Sequence, residues 1–171
     1  FMHSVDKAIK SKLFKSIIIV SNTPIKSIKD KSIKVIKGGK ERYQSSQKAL
    51  NFIKNKKFTI VFINDAALPN FSISLLKKLN LNLKKNKAVV PYLTSDNSTK
   101  YRIKNKIQNL NRENLLFTQT PQCFNFKSLF NLSKSNNTKI TDEATLFLDN
   151  KKKIKFIRGE ENNFKITTKS D

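Results

Sequence analysis

Apolar residues in this chain come in two rhythms. Four short runs, SIIIV at 16–20, IKVI at 33–36, FTIVFI at 58–63 and AVVPYL at 88–93, are almost unbroken. They have the pattern of strands buried on both faces of a parallel sheet. Between them the apolar positions open out to helical spacing over 41–54 and 72–84. In the second of these, SISLLKKLNLNLK, Ile73, Leu76 and Leu79 or Leu83 share one side. The opening residues predict a further helix, with Ser4 as the cap before VDKAIKSK. Strand and helix in alternation imply an open α/β sheet with crossover connections. The rhythm then changes. TKYRIKNKIQNL and ENLLFTQT read as extended segments with no helix between them, an antiparallel arm projecting over 99–119. Helices are expected again at FKSLFNL and DEATLFLD, a strand at KIKFIRG and a loop at SKSNNTK.

Composition narrows this picture in three ways. With 171 residues, 37% of them hydrophobic, the chain can build one domain with a core. A formal net charge of +23 points first to nucleic acid. Arginine, however, stands only at Arg42, Arg102, Arg112 and Arg158, and the lysines are spread along the whole chain. Abundant Lys, Asn, Ile and Phe is what an A/T-rich genome would give without selection for a basic face, so nucleic acid is not the expected partner. No run reaches the ~20 apolar residues that cross a bilayer. The single cysteine, Cys123, excludes an internal disulfide framework and suits a reducing cytoplasm or an organelle stroma. His3 and Cys123 each lack a metal-ligating partner and read as structural.

Open sheets of this kind bind ligands at the carboxyl ends of their strands. The segments after 36, 63 and 93 therefore carry the candidate chemistry: GGKER, NDAALPN and TSDNSTK. Gly38 and Gly39 are two of only three glycines and stand at a strand-to-helix corner. Either a planar base or phosphate lies against bare backbone there, with Ser45 on the first helical turn to bond it, or the pair serves an ordinary turn. Asp65 ends the most apolar strand, where a carboxylate holds a cation, a hydroxyl or backbone amides, or begins an Asx-turn. Thr118-Gln119-Thr120-Pro121-Gln122 packs hydroxyls and amides between Phe117 and Phe124, as a pocket that sorts hydroxyl groups would. Thr141-Asp142-Glu143 has the form of a helix start.

In order, GGKERYQSS, FINDAALP, NSTK, NRENLLFTQTPQCF, ITDEA and NNFKITT resemble the 2-C-methyl-D-erythritol 4-phosphate cytidylyltransferase family. That family's motifs are GGxxRxxSV, HDAARP, DTxK, RxxL…QTPQxF, TDEA and NxK(I/V)T. The resemblance runs over nearly the whole chain. It implies an α/β fold with an open, mostly parallel Rossmann-like nucleotidyltransferase sheet and a projecting antiparallel β-arm, all within one cytidylyltransferase domain over 1–171. It also implies cytidylyl transfer from CTP to the phosphate of methylerythritol phosphate, with release of pyrophosphate. Gly38, Gly39, Ser45, Asp65 and Ala66 would bind the nucleotide, and Asp65 would hold Mg2+ or another divalent cation. Thr118, Thr120, Thr141 and Ser98 would line the sugar phosphate, and Arg112 and Lys165 would be the catalytic cations. A homodimer formed through the arm and a cytoplasmic (or plastid stromal) location are implied as well.

There are departures. The family's histidine is Asn64, its arginine is Leu68, the DTxK aspartate is Asn97 and the corner valine is Ser46. The family also opens with a glycine-rich basic loop ahead of Phe1 and closes with a helix after KITTKSD. Both ends therefore read as cut, and the chain alone is expected to be inactive. Three further readings stay open: a cytidylyltransferase for ribitol 5-phosphate or another polyol phosphate, the first half of a bifunctional protein, and a non-catalytic relative. A basic RNA-binding protein is the reading from a different class.

Overall fold

The computed structural model describes residues 1–25, 28, 30–135 and 140–168. Helix α1 (Met2–Ser11) is followed by parallel strands β1 (Ile17–Ser21) and β2 (Ile33–Lys37), paired from Ile17 with Ile33 to Ser21 with Lys37. Helix α2 (Arg42–Ile53), β3 (Ile60–Ile63), α3 (Ile73–Leu83) and β4 (Ala88–Leu93) complete the alternating part. Two antiparallel strands, β5 (Thr99–Ile103) and β6 (Lys106–Leu110), then form a hairpin of their own. A short 3-10 turn over Arg112–Asn114 leads to β7 (Phe117–Thr118), β8 (Gln122–Asn125), α4 (Phe126–Ser135), α5 (Glu143–Asp149) and β9 (Lys155–Arg158).

The fold is α/β. In the main sheet the order is β3-β8-β4-β7, with β9 on β4. β3, β4 and β9 share one direction. β8 runs antiparallel between β3 and β4, and β7 is antiparallel to β4. Strand β4 is the spine: Ala88 and Val89 face β8, Tyr92 and Leu93 face β7, and its other edge carries β9. Pro91 falls in the gap between those two partners, a place where a missing N–H costs the ladder little.

Because side chains alternate along a strand, the sheet feeds two cores. Ala88 and Phe124 join Leu50, Ile53, Leu129, Leu146 and Phe147 of α2, α4 and α5 on one side. Val89, Cys123 and Ile157 join Leu75, Leu76, Leu79 and Leu83 of α3 on the other. The sheet is thus sandwiched between helices, with Phe124 stacked on Phe147 at 5.3 Å between ring centres.

Four expectations need correction. Burial on both faces holds for β4, where Ala88, Val89 and Val90 are fully buried, but not for β2, whose Lys34, Val35 and Lys37 are exposed. Among the described residues β2 pairs with β1 alone, so no further strand covers it. The first helix starts at Met2, with the Phe1 carbonyl accepting from Ser4 and Val5, so Ser4 lies inside the helix and is not its cap. The paired arm spans 99–110 of the expected 99–119, because β7 returns to the main sheet. Of the SKSNNTK loop, Ser133–Ser135 end α4, and residues 136–139 lie outside the described residues.

Candidate active site at the strand exits

The corner after β2 is shaped by the first turn of α2. No glycine has a positive φ, so backbone handedness is not what requires Gly38 and Gly39. Space is. A Cβ on Gly39 would stand 2.3 Å from Gln44 Cβ. Gln44 lies there because its Oε1 accepts from the Lys40 and Glu41 amides, the side-chain half of a capping box with Glu41. Ser45 Oγ accepts from Gly39 N at 3.0 Å, and Gly38 is buried beneath Asn22 and Ser45. The helix's own cap therefore accounts for Gly39, and the side chains of Asn22 and Ser45 for Gly38.

Arg42, on that first turn, reaches across to the exit of β3. Its Nε donates to Asp65 Oδ1 at 2.7 Å, while Nη1 and Nη2 each donate at 3.0 Å to the two oxygens of Glu143. The Glu143 side chain is only 2% exposed. Burial by itself would lower the pKa of the guanidinium, but Glu143, and then Asp65, more than reverse this and hold it above its ordinary value. On the far side of Asp65, Lys165 Nζ stands 3.6 Å from Oδ2 and is half exposed. The result is a row of alternating charge, Glu143–Arg42–Asp65–Lys165, running from the core to the surface.

The segment that carries Lys165 is held from below. Asn163, fully buried, donates through Nδ2 to the Thr120 carbonyl at 2.8 Å and accepts at its own carbonyl from Gln119 Nε2. Ile166 N donates to the Ala67 carbonyl. Thr120 Oγ1 accepts from Asp65 N at 3.0 Å. Gln122 donates to Asp142 Oδ2 at 2.7 Å and accepts from Ala144 N, which ties β8 to the start of α5.

Several sequence-predicted residues thus meet. Gly39 and Ser45 lead through Arg42 to Asp65, and Asp65 leads to Thr120 and Lys165. Ala66 is exposed beside them. Thr118, also exposed, donates to Asp142 Oδ2 at 3.2 Å, and Thr141 is exposed just before that helix cap. Arg112 is not brought to this cluster. It sits exposed in the 3-10 turn, and its Nη1 donates to the Asp96 carbonyl. Ser98 lies out at the hairpin, accepting from Lys100 Nζ.

The QTPQ stretch is not an open pocket. Gln119, Thr120 and Gln122 are at most 6% exposed, and their amides and hydroxyl are spent on internal bonds. Leu68, where the resembled family has arginine, is also buried and packs as a hydrophobe. Glu143 and Asn163 are the anchors that the sequence reading missed. Both lay inside motifs that had been noted, but nothing local showed that they would be buried.

The same geometry bears on a metal. Asp65 is shared between Arg42 and Lys165, and Glu143 is bound by Arg42. Among the described residues no group of three or more His, Cys, Asp or Glu side chains could hold an ion. These residues do not fit a metal held by the protein alone.

Comparison with known proteins shows which family the chain resembles as a whole. The chain matches, over residues 1–171, the family model described as IspD, 2-C-methyl-D-erythritol 4-phosphate cytidylyltransferase. It is 45% identical over 174 residues to the bifunctional enzyme IspD/IspF of Pelagibacter ubique, covering 99% of this chain and 47% of that one. It is 34% identical over 167 residues to the bifunctional enzyme IspD/IspF of a Wolbachia species of Brugia malayi, covering 95% and 41%. The chain thus spans less than half the length of each of these two relatives. Among solved structures, 2-C-methyl-D-erythritol 4-phosphate cytidylyltransferase of Francisella tularensis superposes with a TM-score of 0.87 at 30% identity, covering 98% of this chain and 82% of that one. On these matches, the chain belongs to the 2-C-methyl-D-erythritol 4-phosphate cytidylyltransferase family.

Proposed function

We propose that the whole protein transfers a cytidylyl group from CTP to 2-C-methyl-D-erythritol 4-phosphate. The phosphate oxygen of the sugar attacks the α-phosphorus of CTP, a new P–O bond forms, and the bond to pyrophosphate breaks. Such a reaction needs in-line placement and positive charge around the transferring group more than any covalent help from the protein. The observation that carries the reading is the meeting of Arg42, Asp65, Thr120 and Lys165 at the strand exits of a chain in this family.

In this proposal Lys165 supplies a point charge to the sugar phosphate, and Arg112, which its own chain holds away from Lys165, would add a planar fork from the arm of a second copy. Thr118, Thr141 and Ser98, all exposed, are the hydroxyls left to meet the sugar, while Thr120 acts from beneath through Asp65. Gly39, Ser45, Asp65 and Ala66 line the nucleotide side. A divalent cation would come bound to the triphosphate of CTP and would supply further positive charge there. Chelation with EDTA should therefore stop turnover and leave the melting temperature of the protein without nucleotide unchanged, and a lowered melting temperature would show that the protein itself holds an ion.

The test is pyrophosphate release from CTP, which should require methylerythritol phosphate. Equal or faster release with ribitol 5-phosphate would replace the substrate, and release with neither would overturn the activity. R112A should raise KM or lower kcat, and an unchanged kcat/KM removes Arg112 from the mechanism.

Two more proposals belong to the whole protein. Tyr101, Ile103, Ile107 and Leu110 leave the hairpin with exposed apolar side chains, which supports a homodimer through the arm. A reducing compartment, the bacterial cytoplasm or a plastid stroma, suits the one buried cysteine.

A further inference from the structure

We propose that Arg42 is a positioning residue: by holding Asp65 through its Nε it keeps Lys165 near the site but loosely paired, ready to engage an incoming phosphate. This rests on the reading of Lys165 as a phosphate-binding cation, and it adds the residues that set its readiness.

The geometry separates two tasks for one guanidinium. The fork on Glu143, two parallel bonds of 3.0 Å, is enough to tie α2 to α5. The third bond, Nε to Asp65 Oδ1 at 2.7 Å, does nothing more for that tie. It neutralises the carboxylate that Lys165 faces. Lys165 then sits 3.6 Å from Oδ2, past the range of a good hydrogen bond, with its side chain 56% exposed. A bare Asp65 would draw the ammonium into contact and repel an arriving phosphate. With Arg42 already on Oδ1, the lysine can leave its carboxylate at low cost. Glu143 acts one step further back, because its buried carboxylate fixes the plane of the guanidinium so that Nε points at Asp65.

The inference makes Arg42 act on sugar-phosphate affinity through Lys165. The test uses the full-length protein, with KM and kcat for methylerythritol phosphate measured in E143Q, R42Q/E143Q and R42K/E143Q, each with and without K165A. Removing Glu143 first avoids stranding a buried carboxylate when Arg42 is neutralised. R42Q/E143Q should raise KM about tenfold over E143Q, the size of one charge-assisted hydrogen bond, with kcat within about twofold. R42K/E143Q, which restores a cation opposite Asp65, should recover most of that loss. In the K165A background the difference between the E143Q and R42Q/E143Q forms should vanish.

A tenfold effect that persists without Lys165 overturns the inference, and so does an unchanged KM in R42Q/E143Q when K165A alone raises it. If K165A leaves KM unchanged, the phosphate reading of Lys165 fails and takes this inference with it. Should R42Q/E143Q not fold, R42K with and without E143Q decides. Its single ammonium is held by Glu143 and deserts Asp65, so KM should rise, then fall again when E143Q is added. Damage that instead accumulates in the double variant overturns the proposal.

Discussion

Gly39 shows how a single residue can be required by its neighbours alone. The 2.3 Å approach to Gln44 Cβ leaves no room for a methyl group. G39A should therefore lower stability by about 1–3 kcal/mol, the usual cost of overpacking, read as a drop in thermal midpoint. A midpoint within experimental error of the parent would mean that the cap relaxes freely. Gly38 would meet mainly the polar ends of Asn22 and Ser45, at 3.0 Å, so G38A should cost less. Leu68 makes the complementary case. It stands where the family has arginine, yet it is buried, so L68R should reduce stability without gaining activity. The sequence marked both positions as unusual. It could not say why, because the reasons are contacts with side chains whose place depends on the folded helix cap and the core.

Among the elements, β4 and α3 were readable from pattern, since an unbroken apolar run and a 3.6-residue stripe are local signals. β8 was not. Its QCFN is short and half polar, and it becomes a strand because β3 and β4 offer it two edges at once. The Arg42–Glu143 fork joins residues 101 positions apart, a pairing that no local window contains. β8 also buries Cys123, where desolvation pushes the thiol pKa well above its ordinary value. An acid with a raised folded pKa contributes its stability below the unfolded pKa of about 8.5 and loses it as the pH rises past that point. Stability should therefore fall above about pH 8.5 by up to ~1.4 kcal/mol per pH unit from this group, and C123A should flatten that slope relative to the parent. The same thiol should resist a thiol reagent until the protein unfolds. Fast labelling of the native protein would contradict its burial.

For the whole molecule, the family match orders observations that charge alone would have misdirected. A net charge of +23 predicts some attraction to RNA, but with lysines so dispersed it should be weak and fade steeply with salt. RNA binding that survives high salt would revive the nucleic-acid reading. The hairpin gives the sharper test. If the face that carries Tyr101, Ile103 and Leu110 meets a second copy, Y101K/I103K should convert a dimer to a monomer in analytical ultracentrifugation while far-UV circular dichroism stays unchanged. A parent protein that is already monomeric would remove the dimer proposal. What the sequence supplied at this scale was the order of motifs along the chain. What it withheld was which motifs face one another.

The antiparallel insertion of β8 also bears on synthesis. β3 and β4 do not pair with each other, so the strand that joins them is missing until residues 122–125 have left the ribosome. The hairpin and Arg112 are made earlier, while the middle of the main sheet is still open. Released chains that end at residue 119 should stay open to protease across 60–63, and chains that extend past β8 should gain protection there together rather than gradually.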